Sequence, residues 1–137
     1  MTGRPPPDSP NAWLERSHSD LVLGRAALEI SGVLLEDACF HAQQCAEKAL
    51  KALLIQRGIV FPRTHVLEYL LDLLKKDGAT IPPAVDAAIQ LTQYAVETRY
   101  PGVWEPVTEE EARAALDTAA LVFNWVIQQL QDDLNPD

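Results

Sequence analysis

Cysteine is scarce: Cys39 and Cys45 are the only two in 137 residues, too few for a disulfide-stapled fold. Placed on one helix, they would point about 120° apart, which excludes a bridge between them and leaves two small core residues. Aromatics make up only 7% of the chain, and no stretch alternates apolar and polar residues for long, so the usual signs of strands are missing. No apolar run approaches the roughly 18 residues of a membrane-spanning helix. Pro5, Pro6 and Pro7 stand where a signal peptide would need an apolar stretch, so export is not indicated and a cytoplasmic location is expected. Positive charge is also short, 11 Lys and Arg against 20 Asp and Glu, and the net charge of -9 argues against nonspecific duplex binding. Any nucleic-acid contact has to come from a local basic patch.

Chemical motifs are equally sparse. No Gly-rich phosphate loop, nucleophile elbow or Cys and His hydrolase pattern is present, and no cofactor is implied. Glu15 and His18 have the Glu-x-x-His spacing of di-iron bundles, but such sites need a second copy and further Glu residues. Cys39, His41 and Cys45 fail as a zinc set because Cys39 points away from His41 on a helix. No metal is expected.

What the chain does have is 47% apolar residues and enough length to bury about two thirds of its unfolded surface in one core. The expected organisation is a flexible Pro-rich tail over 1–9, one helical domain over 10–132 and a frayed C-terminus over 133–137. Ser9 and Pro10 suit the N-cap and first position of a helix running to about Ser31, with Gly32 as its stop and Trp13, Leu14, Leu21 and Leu28 as its stripe. Glu36 to Arg57 contains neither Pro nor Gly and ends at Gly58, a second helix of about six turns. Thr64 is the expected N-cap of a third, carrying Leu67, Leu70, Leu71 and Leu74 and stopping near Gly78. A fourth segment starts at Pro82 and Pro83, passes through Val85, Ala88, Ile89, Thr92 and Val96, and ends in the turn Arg99, Tyr100, Pro101, Gly102. Thr108 to Glu111 reads as a capping box opening the last helix, whose expected face is Leu116, Ala119, Phe123, Ile127 and Leu130. The fold class is therefore all-α, an up-and-down four-helix bundle with one additional short helix.

The second helix carries the pattern most suggestive of chemistry. His41, Gln44, Lys48 and Lys51 fall within an arc of about 80° centred near Asp37, opposite Ala38, Ala42, Cys45, Ala46, Ala49 and Leu53. The small residues allow a neighbouring backbone to come close. The polar line offers an imidazole, an amide and two cations, a set suited to a phosphate or an acidic partner, although any amphipathic helix also has a solvated face.

The run from Phe40 to Leu54, including His41, Gln43, Gln44, Glu47, Lys48 and Lys51, resembles the signature helix of HEPN domains, the higher-eukaryote and prokaryote nucleotide-binding family. Arg63, Thr64, His65 and Leu67 are similar to the segment opening that family's next helix, and Thr98 to Pro101 is similar to its Arg-Tyr-Pro turn. The resemblance implies a helical bundle that dimerises and is often encoded beside a minimal nucleotidyltransferase. In many members it acts as the toxin of a toxin and antitoxin pair or as a metal-independent ribonuclease. Catalytic members share an Arg followed four to six residues later by a His, a spacing that no Arg and His pair in this chain has. That departure favours a binding or partner subunit, with His41, Gln44, Lys48, Lys51, Arg99 and Tyr100 as expected ligand contacts. The alternatives are a ribonuclease with a degenerate site around His41, His65 and Arg99, or a purely structural dimerising module. Arg99 also suits a cation at a helix C-terminus, Tyr100 a packed aromatic and His65 a residue bonding to local backbone. Trp13, Leu23, Val122, Trp125 and Val126 point in directions that one seam cannot all use, which suggests a homodimer.

Overall fold

The computed structural model describes residues 8–95 and 105–135, and every regular element among them is helical. They are α1 (Pro10–Ala27), α2 (Leu35–Gln56), α3 (Leu67–Lys76), α4 (Pro83–Asp86), a 3-10 segment (Ala87–Tyr94) and α5 (Glu109–Leu134). Val96 and the turn with Arg99, Tyr100 and Pro101 lie outside the described residues.

The caps explain most boundaries. Ser9 Oγ accepts from Ala12 N–H at 3.1 Å, with Pro10 at the first helical position. The α-helix stops at Ala27, short of Ser31, because Leu28, Glu29 and Ile30 bond to carbonyls three residues back; the chain then turns through Gly32 at φ 90°. At the end of α2, Gly58 takes φ 69° and Ile59 N–H bonds to Leu54 O at 2.9 Å, the six-to-one closure of a Schellman motif. Thr64 is not the cap of α3. Its Oγ1 closes a local turn to Val66 N–H, while Leu67 N–H donates to Thr92 Oγ1 from the 3-10 segment. Thr108 does cap α5, accepting from Glu111 N–H at 3.0 Å. The carboxylate of Glu111 accepts the Tyr94 hydroxyl instead of turning back on the cap.

The fourth segment is helical but only its first turn is α. Val85, Ala88, Leu91 and Tyr94 are its buried residues, a strict three-residue period that a helix of three residues per turn places on one face. Ile89 and Thr92 flank that face.

The centre of the molecule is α2, which packs against α1, α3, α5 and the 3-10 segment. Pairings of Gly24 with Ala38 and of Ser17 with Cys45 show α1 running antiparallel to α2. Pairings of Cys45 with Ala119 and of Arg57 with Asp133 show α5 running in the same direction as α2. The small residues of α2 do allow close approach: a Cβ on Gly24 would lie 3.3 Å from Ala38 O and 2.6 Å from Leu116 Cδ2. On α5 the buried stripe is Ala112, Ala115, Leu116, Ala119, Val122, Val126 and Leu130. Val122 and Val126 thus belong to the core, and Phe123 and Ile127 sit at its margin. Among the described residues no helix is long and apolar enough to cross a membrane.

Candidate functional site

The polar line of α2 does not simply face water, because α1 and the α2–α3 loop reach over it. Its outer part meets Asp20, projected from the α1 face that also carries Ser17, Leu21 and Gly24. His41 Nδ1 lies 2.9 Å from Asp20 Oδ1, and Lys48 Nζ donates to Asp20 Oδ2 at 2.6 Å. The three side chains are 23%, 22% and 12% exposed for His41, Lys48 and Asp20, so they form a shallow edge of the bundle and not its interior. Against a carboxylate, which only accepts, Nδ1 of His41 is the donor, and Nε2 has no hydrogen-bond partner among the described residues. Gln44 lies beside them, donating to Gln43 Oε1 at 2.6 Å.

The inner part is a buried charge cluster. Lys51 Nζ donates to Glu47 Oε2 at 2.9 Å and stands 5.5 and 5.7 Å from the ring centroids of Trp13 and Phe61. Glu47 also accepts from Gln43 Nε2 at 3.0 Å and lies 2.8 Å from His65 Nδ1. Burial pushes the Glu47 carboxyl up, but donors from Lys51, Gln43 and His65 outweigh it and hold the group below the ordinary carboxylate value. Gln43, with no exposed surface, further donates to His65 O at 3.1 Å and so ties the loop before α3 to α2. His65 is therefore held by a carboxylate on α2, not by bonds to its own local backbone.

Lys48 and Lys51 thus have different carboxylates, Asp20 and Glu47, and His41 and His65 are divided in the same way. Arg99 and Tyr100 lie outside the described residues. Reading the helix alone missed Asp20, Gln43 and Glu47. Two signals were available: Ser17, Asp20 and Gly24 share a face with Leu21, and Gln43, Glu47 and Lys51 repeat every fourth residue. Cys45, packed on Ser17 and Ala119 O, is buried; burial pushes its thiol up to about 11, which leaves it protonated and unreactive at neutral pH. Among the described residues no group of three metal-ligating side chains comes together. A groove of about 400 Å³ at the other end of α1 is lined by Arg25, Glu29, Arg113 and Asp117 over Leu28 and Leu116. Its two cations and two carboxylates balance, and Arg113 is paired with Glu109 at 2.8 Å.

Comparison with known proteins agrees with this architecture. The model of the HEPN domain matches residues 10–130. A protein of Methanocaldococcus jannaschii named "Putative toxin MJ1304" is 31% identical over 138 residues, covering 88% of this chain and 87% of its own. The crystal structure of ST0689, an archaeal HEPN homologue, superposes with a TM-score of 0.70 at 33% identity, over 88% of this chain and 97% of that one. That of TT1696 from Thermus thermophilus gives 0.73 at 32% identity, over 88% and 98%. With the signature helix at the centre of the bundle and the family match spanning nearly all of it, the chain belongs to the HEPN domain family.

Proposed function

We propose that the protein is a nucleotide- or RNA-binding HEPN subunit of a toxin and antitoxin-like two-component system, a cytoplasmic homodimer that partners a minimal nucleotidyltransferase. The observation that carries this reading is the convergence of His41, Gln44 and Lys48 on one partly exposed edge of α2. His41 and Lys48 bring an imidazole N–H and an ammonium to this edge, the kinds of donor from which a phosphate oxygen accepts. Lys51 supports the edge from beneath, its ammonium being used by Glu47. Arg99 and Tyr100 are included in the proposed ligand set on the resemblance of Thr98 to Pro101 to the family's Arg-Tyr-Pro motif. The name of the Methanocaldococcus relative supports the toxin and antitoxin setting. Val22 and Leu23 on α1, 53% and 48% exposed, support a second copy covering that face.

Titration calorimetry with AMP and with an unphosphorylated hexaribonucleotide tests the site. Lys48→Ala is expected to weaken whichever probe binds by roughly tenfold, about 1.4 kcal/mol. Unchanged affinity in that variant would overturn the assignment. A Lys51→Ala variant is a poor probe, because it strips a buried carboxylate of its partner.

One observation favours a second reading, a metal-independent ribonuclease. His41 and His65 each have Nδ1 set against a carboxylate, an arrangement that fixes the tautomer of a general base. Cleavage of single-stranded RNA by the pure protein, lost in His41→Ala or His65→Ala, would promote it.

A further inference from the structure

We infer that Asp20 is a resident anion: its carboxylate occupies the His41 and Lys48 groups that an incoming phosphate needs, so the ligand binds by displacing it. The inference rests on the proposed phosphate site and names how that site is regulated. Both oxygens of Asp20 are engaged, Oδ1 with His41 Nδ1 at 2.9 Å and Oδ2 with Lys48 Nζ at 2.6 Å, two donors from successive parts of one helix converging on a single carboxylate. Carboxylate and phosphate oxygens accept from the same ammonium and imidazole donors, so Asp20 stands in for two oxygens of a phosphate group. Asp20 is supplied by α1, and α1 comes this close because Gly24, one turn further along, has no side chain to meet Ala38 O and His41 Cβ. Electrostatics agree with the geometry. Among the described residues, Lys51 is spent on Glu47 and Lys48 on Asp20, so neither of these ammonium groups is left uncompensated, in a chain of net charge -9. An external anion then gains little until Asp20 gives way.

The shared chemistry is a phosphate, whether the monoester of a nucleotide or the diester of RNA. The experiment therefore measures AMP and an unphosphorylated hexaribonucleotide separately, against the wild type, Asp20→Asn, and Asp20→Asn combined with Lys48→Ala. Asn keeps the shape of Asp20 and removes its charge. The expected result is roughly tenfold tighter binding of at least one probe to Asp20→Asn, with the gain abolished in the double variant. A gain with AMP alone identifies the monoester, and a gain with the oligonucleotide alone identifies the RNA backbone. Equal or weaker binding by a folded Asp20→Asn, judged by its thermal midpoint, overturns the inference. If the wild type binds while Asp20→Asn shows no gain, the phosphate site survives and the role of Asp20 falls; if neither binds, both fall. A second measurement needs no variant. In the wild-type chain, saturation with the probe that binds should move the carboxyl carbon signal of Asp20 together with the imidazole signals of His41, and a stationary Asp20 signal rules out displacement.

Discussion

Glu47 is the most constrained single residue of the polar cluster. It is 3% exposed and accepts from Lys51, Gln43 and His65, which together keep its carboxyl below the ordinary value of 4.5 despite burial. A carboxyl whose folded value lies below its unfolded value stabilises fully above the ordinary carboxylate range and loses that contribution as pH falls through the folded value. Urea unfolding followed from pH 7 to pH 3 should therefore show stability declining below about pH 4.5, and Glu47→Gln should flatten the decline. At pH 7 the same variant should lose about 3–5 kcal/mol, because the Lys51 ammonium stays buried without its carboxylate. Wild-type stability and slope in Glu47→Gln would mean that the cluster is not what holds the loop to α2. At this scale the sequence was legible for composition but not for pairing. The polar line of His41, Gln44, Lys48 and Lys51 follows from helical spacing alone. Its partner Asp20 is 21 residues before His41, and no local period connects two helices before their packing is known.

Packing between elements depends most visibly on Gly24. An added methyl there meets Leu116 Cδ2 at 2.6 Å inside a buried contact, with Ala38 O and His41 Cβ at 3.3 Å. Ala favours a helix over Gly by about 1 kcal/mol, but overpacking a filled core costs about 1–3 kcal/mol, so Gly24→Ala should lower the thermal midpoint. A raised midpoint would show that α1 can retreat from α2 without loss. The beginnings of α1 and α5 and the end of α2 were legible, since Ser9, Thr108 and Gly58 act through neighbours within three or four residues. The start of α3 was not, because its first amide is satisfied by Thr92, 25 residues away, while the nearer Thr64 closes only a turn. The 3-10 segment was hidden for a related reason: Val85, Ala88, Leu91 and Tyr94 hold a strict period of three, whereas Ile89 and Thr92 mimic an α-helical stripe.

For the whole molecule, composition and the continuous helical patterning made the all-α bundle legible, because absent strand signals and unbroken amphipathic runs leave few other ways to bury 47% apolar residues. The surface for a partner was less legible. Val122 and Val126 are used internally by α5, so the case for a second copy moves to Val22 and Leu23 on α1. Burial of α2 by α1, α5 and the α2–α3 loop leaves Phe40, His41, Gln44 and Lys48 as the partly exposed residues of the signature helix. The most direct measurement of the proposed role is native mass spectrometry of the tagged protein captured from its own cell. The account predicts two copies of the 15.1 kDa chain held together with a nucleotidyltransferase protein or with RNA. A monomer, or a bare homodimer with neither companion, would contradict it.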